Sequence, residues 1–263
     1  MDKLYVKTFL EPLYECLNYK PKFGNSSKKD GYSLPEFISL YSSDPFYSWI
    51  GLNNSIMYTA HKASGCMTSI YRQLGVGCER LFRQIIIDST QYESKASACW
   101  SYTAKTKSGK DKTLSLDGRL EIEDIKNPVV KCRVVQWISK YCDELQVEKD
   151  GIKGAVFEVR QGYKSKDSKR QNGDIDNIAV AYSMRYLPVI TVFSSQIDND
   201  VVLRYRNNKS AIITGALTDS SMVSLYAFCK DVLCFDLAAF FERNSDVIKR
   251  EIGIILEKLF KDE

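Results

Sequence analysis

Apolar residues recur at helical spacing near both ends of the chain and at strand spacing in its middle. Over 1–20, Leu4, Phe9, Leu10, Leu13 and Leu17 fall three to four residues apart among charged neighbours, which predicts a helix. Residues 20–33, rich in Lys, Gly, Asn and Ser, predict a loop. A short helix is expected over Leu34–Tyr41, with Pro35 tolerated in its first turn and Asp44-Pro45 ending it. Residues 55–90 read as helical overall, interrupted at Gly75-Val-Gly77. Beyond the interruption, Cys78, Leu81, Phe82, Ile85 and Ile86 share one face, with Glu79, Arg80 and Arg83 on others.

From Ala98 the period shortens. Ala98–Ala104 and Thr113–Ile122 read as two strands of a hairpin around the Gly/Lys segment Lys105–Lys112. Val129–Lys140 fits a strand or a helix. Gly154–Gln161 reads as a β-run, a helix is expected over Ser168–Tyr186, and Leu187–Ser194 is almost wholly apolar and β-branched, as in a strand covered on both faces. Strand, helix, strand over 154–194 is a βαβ unit. Ala211–Gly215 suggests a further strand, and 219–243 and 245–260 two closing helices.

Hydrophobic residues make up 44% of the 263 and charged residues 27%, which supports a packed core and argues against global disorder. No apolar run reaches bilayer length, and Met1–Leu17 lacks the uninterrupted apolar stretch of a signal peptide. A cytoplasmic location without membrane attachment is therefore expected. Eight cysteines stand at 16, 66, 78, 99, 132, 142, 229 and 234, none spaced Cys-x-x-Cys, and fit reduced thiols better than a zinc site. His61 is the single histidine, so a histidine-based triad or metal site has one residue to draw on. No phosphate-binding glycine loop is present, so no nucleotide cofactor is expected. The net charge of +4 identifies no partner by itself, but Arg160–Arg170 holds five basic residues and one acid around Tyr163.

The chemically informative feature is an acid inside an apolar strand. Strand parity puts Val156, Glu158 and Arg160 on one face and Ala155, Phe157 and Val159 on the other. A carboxylate in that setting needs a cation or a metal to offset its burial. Asp117, in Leu114-Ser-Leu-Asp-Gly-Arg, is a second acid near a strand end. Two carboxylates on neighbouring strands suit a divalent ion that activates water for phosphodiester hydrolysis. Plainer readings exist for each: Glu158 and Arg160 as a structural ion pair, Asp117-Gly118 as a turn, Glu79 as an exposed helix acid, and the basic run as a solvated loop.

An acid at a strand end, Glu-x-basic on the next strand (Phe157-Glu-Val-Arg-Gln-Gly-Tyr-Lys-Ser-Lys), a polar basic helix and an apolar strand together resemble the PD-(D/E)XK nuclease superfamily, and within it the type II restriction endonucleases. The resemblance covers about residues 75–195. It implies an α/β fold with a restriction-endonuclease-like central mixed β-sheet flanked by helices. It also implies one nuclease domain over 1–263: a mainly helical part over 1–95, a catalytic sheet core over 96–215 and C-terminal helices over 216–263. Carried over, Asp117 and Glu158 are metal ligands, and Glu79 matches an auxiliary acid on an N-terminal helix. Arg160 stands where the family usually has lysine, and being permanently protonated it is a poor proton shuttle. Lys164 or Lys166 is the candidate for the missing ammonium. Asp150, closer in sequence, rivals Asp117 as the first acid. The implied cofactor is Mg2+, the substrate double-stranded DNA, and the assembly a homodimer, since a twofold pair suits cutting both strands. Segments Tyr58–Arg83 and Gln196–Lys209 are candidates for base contacts or the dimer surface. The alternative is a non-catalytic nucleic-acid-binding protein with a structural Glu158–Arg160 pair.

Overall fold

The computed structural model describes residues 1–23, 30–105, 109–163 and 168–260. The chain divides into two compact units, Met1–Tyr5 with Cys78–Asn244, and Val6–Gly77 with Ser245–Glu263. Among the described residues no helix is long and apolar enough to cross a membrane.

The second unit is helical. Helix α1 (Asp2–Leu10) gives way to a 3-10 segment, Glu11–Asn18, rather than continuing to residue 20. Pro12, lacking an N–H and crowding the preceding turn, accounts for the change. Helix α2 (Leu34–Ser43) starts with a capping box between Ser33 and Glu36, and α3 (Pro45–Trp49) is capped by Asp44, whose side chain accepts from the Tyr47 N–H. Helix α4 (Ser55–Thr90) runs unbroken through Gly75 and Gly77, where an interruption is expected from sequence. Gly77 serves close packing instead: a Cβ there would strike the Phe9 carbonyl. The lone histidine belongs to an aromatic cluster. His61 Nε2 lies 3.1 Å from the Tyr41 hydroxyl, and its ring sits 5.4 Å from Phe23 and 6.1 Å from Phe37.

The first unit carries the sheets. Strands β1 (Trp100–Lys105) and β2 (Asp111–Leu116) form the antiparallel hairpin expected from the period-2 pattern. The strand expected over 113–122 is divided: the chain bends at Asp117 and resumes as β3 (Gly118–Glu121) in a second sheet. That sheet has the order β3-β4-β5-β6, with β4 Gly154–Arg160, β5 Tyr186–Val192 and β6 Ala211–Ile213. Strand β3 is antiparallel to β4, and β4, β5 and β6 are parallel. Helices α6 (Ser168–Ser183) and α7 (Asn199–Asn207) connect the parallel strands, so the molecule is mixed α/β with one mixed sheet. Every residue of β5 is buried, as its uniform apolar composition implies.

The ambiguous segment 129–140 lies in α5 (Pro128–Leu145), started by Asn127, whose side chain accepts from the N–H groups of Val129 and Val130, with Pro128 in the first turn. The single helix expected over 219–243 is instead a turn of helix, α8 (Leu225–Ala227), a π turn over Phe228–Val232 and, after a break at left-handed Cys234, α9 (Leu237–Arg243). Asp236 caps the restarted helix through the Ala239 N–H, 2.9 Å away. Helix α10 (Ser245–Phe260) follows and belongs to the second unit.

Candidate functional site

Strand β4 separates two environments, and its alternation decides what each receives. Phe157 points into an aromatic core with Phe82 of α4, Trp137 of α5 and Phe228, the ring centroids 5.1 to 6.5 Å away. On the opposite face Val156 packs with Trp100, Leu116, Ala181 and Tyr186. Two and four residues further along that second face stand Glu158 and Arg160.

Arg160 is the centre of a buried polar network. One of its guanidinium nitrogens forms an ion pair with Glu158 Oε1 at 2.9 Å and donates to Asp174 Oδ1, on α6, at 2.6 Å. The other Asp174 oxygen accepts from the Tyr205 hydroxyl at 2.6 Å and the Tyr163 hydroxyl at 3.3 Å. Burial works against the Arg160 charge, but Glu158 and Asp174 outweigh it and hold the guanidinium protonated well above its ordinary range. Among the described residues its buried Nε–H has no hydrogen-bond partner. Burial, together with the Tyr163 hydroxyl and the Asp174 carboxylate, pushes the Tyr205 phenol far up, so it acts as a donor.

Asp117 lies against the same strand from the β3 side. Gly118 pairs with Phe157, so one more step of regular ladder would set Asp117 opposite Glu158. The chain departs from the ladder there. The Asp117 N–H reaches the Phe157 carbonyl at 2.8 Å, and its Oδ2 accepts from the Val159 N–H, also at 2.8 Å. Among the described residues no hydrogen bond occupies Oδ1. Burial and the charge of Glu79 raise the Asp117 carboxyl from 3.8 to about 6, against the lowering pull of the Val159 N–H, Arg160 and Arg83. Arg160 thus acts on both strand acids.

Helix α4 supplies the third side. Glu79 and Arg83, one turn apart, are paired at 2.5 Å, and the Arg83 Nε–H donates to the Asp117 carbonyl at 2.9 Å. Arg83 therefore fixes the bend that carries Asp117, and it brings Glu79 into electrostatic reach of the Asp117 carboxylate. Among the described residues no three His, Cys, Asp or Glu side chains converge as a ready-made metal site. Glu79 acts on the Asp117 carboxylate, and Arg160 acts on both Asp117 and Glu158.

The rival acid Asp150 is exposed in the turn before β4. It precedes Gly154, and the four-residue rise from Gly154 to Glu158 alone spans about 13 Å. Of the two candidates, Asp117 is the one beside the Glu158 end of the strand. Lys164 and Lys166 lie outside the described residues. Asp174, Tyr163, Tyr205 and Arg83 escape a reading based on strand motifs. A signal for Asp174 does exist: it precedes Ile178 and Ala181, both buried, by four and seven positions, which places it on the inward face of α6.

No protein-family model matches the chain, and no curated protein or solved structure matches it significantly. Any functional reading therefore rests on the chemistry of this cluster.

Proposed function

We propose that this chain is a Mg2+-dependent endonuclease that hydrolyses phosphodiester bonds of double-stranded DNA, of the type II restriction class and on a restriction-endonuclease-like core. Cytoplasmic location and action as a homodimer belong to the same reading. The observation that carries it is Asp117: a half-buried carboxylate with one oxygen fixed by the Val159 N–H, the other without a hydrogen bond among the described residues, and its ionised form disfavoured. A divalent cation relieves that strain on the charge, and hard carboxylate oxygens are the donors Mg2+ prefers.

In this reading Asp117 and Glu158 hold the ion, with Glu79 as a further donor. A divalent ion held there would supply polarisation of the phosphoryl oxygen and a more acidic water. The protein's own residues supply position. Val159 and Arg83 fix Asp117 from its two ends, and Arg160 orients Glu158 while Asp174 and Tyr205 hold Arg160. Arg160 cannot act as a proton shuttle, because its flanking carboxylates keep it charged. Lys164, in the basic run that follows β4 in sequence, is the residue proposed to meet the scissile phosphate.

Glu158→Ala tests the proposal on supercoiled plasmid of mixed sequence. Wild-type protein should yield discrete fragments with Mg2+ and none with EDTA. The variant should lose cleavage by more than the roughly 10–100-fold that removal of an outer-shell partner costs, while still retarding duplex DNA.

The second reading, a non-catalytic nucleic-acid-binding protein, is favoured by one observation: Arg160 already neutralises Glu158 at 2.9 Å. Under it the wild-type protein binds duplex DNA and cuts none in Mg2+.

A further inference from the structure

The hairpin of β1 and β2, in the first unit, has two unlike faces. Its inner face is anchored. Trp100 and Leu116 are buried with Val156, Ala181 and Tyr186. The Tyr102 ring lies 5.2 Å from Trp100, and the Tyr102 hydroxyl donates to Asn177 Oδ1 on α6 at 2.6 Å. Leu116 is joined directly to Asp117, and Asn177 follows Asp174 by three positions on α6. The root of the hairpin is therefore clamped to the same elements that carry the carboxylate cluster.

The outer face is polar throughout. Strand register sets Ser101 opposite Ser115, Thr103 opposite Thr113 and Lys105 opposite Asp111, and all six residues are exposed. Lys110 and Lys112 are exposed as well. The described part of the hairpin thus carries three lysines and a single acid, Asp111, which faces Lys105 across the ladder. Lysine is depleted in strands, so strand propensity does not account for this excess of positive charge.

We infer that this β-ribbon enters the major groove of B-form DNA with its Ser, Thr and Lys face and so sets the duplex against the neighbouring carboxylate cluster. The inference rests on duplex DNA being the partner, as in both readings above. The major groove is about 12 Å wide and admits a two-stranded ribbon. Strands of six residues run about 20 Å, the rise of about six base pairs. Hydroxyls both donate and accept, so Ser101, Thr103, Thr113 and Ser115 suit base edges and phosphates alike, while the lysines meet phosphates. The deep, narrow major groove of an RNA duplex excludes such an element. The anchored inner face leaves the ribbon little ordering to lose on binding.

Fluorescence anisotropy of a labelled DNA duplex with the full chain, in EDTA and in Mg2+, tests it. The double variant Thr103→Glu/Thr113→Glu sets two anions side by side on the exposed face. It should weaken binding about tenfold or more, with unchanged far-ultraviolet circular dichroism. Lys112→Ala should lower the slope of log affinity against log salt by about 1. In the wild-type protein, saturating duplex should protect Lys105 and Lys112 from acetylation by acetic anhydride, a readout that needs no variant. Folded variants that bind like wild type, or lysines left unprotected at saturation, overturn the inference and leave the nuclease proposal standing. So does an RNA duplex of the same sequence bound as tightly as the DNA. Failure of the nuclease proposal reads differently: the wild-type protein leaves the bound duplex uncut in Mg2+, and the ribbon variants are still weakened, which upholds the inference. A wild-type protein that binds no duplex in either condition overturns both.

Discussion

Burial and the neighbouring Glu79 hold the Asp117 carboxyl at about 6 rather than 3.8, and the consequence for stability has a definite sign. The folded chain binds the proton more tightly than the unfolded chain, so stability falls as pH rises from about 4 to about 6 and stays lower above it. Asp117→Asn keeps an acceptor for the Val159 N–H and removes the charge. By urea unfolding without divalent ions, it should be more stable than wild type at pH 7.5 by roughly 3 kcal/mol, with the difference closing below pH 4. Asp174 matters through its partners. Asp174→Ala strips one partner from buried Arg160 and an acceptor from two tyrosines, and should cost roughly 3 kcal/mol or more by the same measurement. Removing the exposed Lys149–Asp143 pair should cost under about 1 kcal/mol. At this scale the sequence was partly legible. Glu158 and Arg160 stood out because charge in an apolar strand is costly. Asp174 did not, because its value lies in partners 11 to 31 residues distant that only the folded sheet assembles.

Among the elements, β4 and β5 were readable because burial constrains most of their residues: a short β-run with its charges confined to one face on one, continuous apolar side chains on the other. The bend at Asp117 was not, because it arises from pairing with β4, thirty-five or more residues further on, and from the Arg83 contact to its carbonyl. Segment 129–140 was ambiguous in its valine-rich interior, although Asn127-Pro128 carried the helix start signal. Helix α4 gives a sharp test of what its glycines do. Gly75 has open space where a Cβ would go, whereas Gly77 faces the Phe9 carbonyl. Gly75→Ala should stabilise the protein by up to about 1 kcal/mol through helix propensity. Gly77→Ala should destabilise it, and the two shifts in thermal midpoint should have opposite signs.

At the level of the whole molecule, three elements distant in sequence converge on the stretch of β4 around Glu158: the bend after β2, the α4 turn holding Glu79 and Arg83, and α6 with Asp174. The proposed function depends on a divalent cation binding there, at Asp117 and Glu158. Calorimetric titration of Mn2+ into the full chain at pH 7.5 measures this directly. The account predicts saturable binding to the wild-type protein that is lost in both Asp117→Asn and Glu158→Gln. Absence of binding in the wild type, or binding unchanged in both variants, would contradict it.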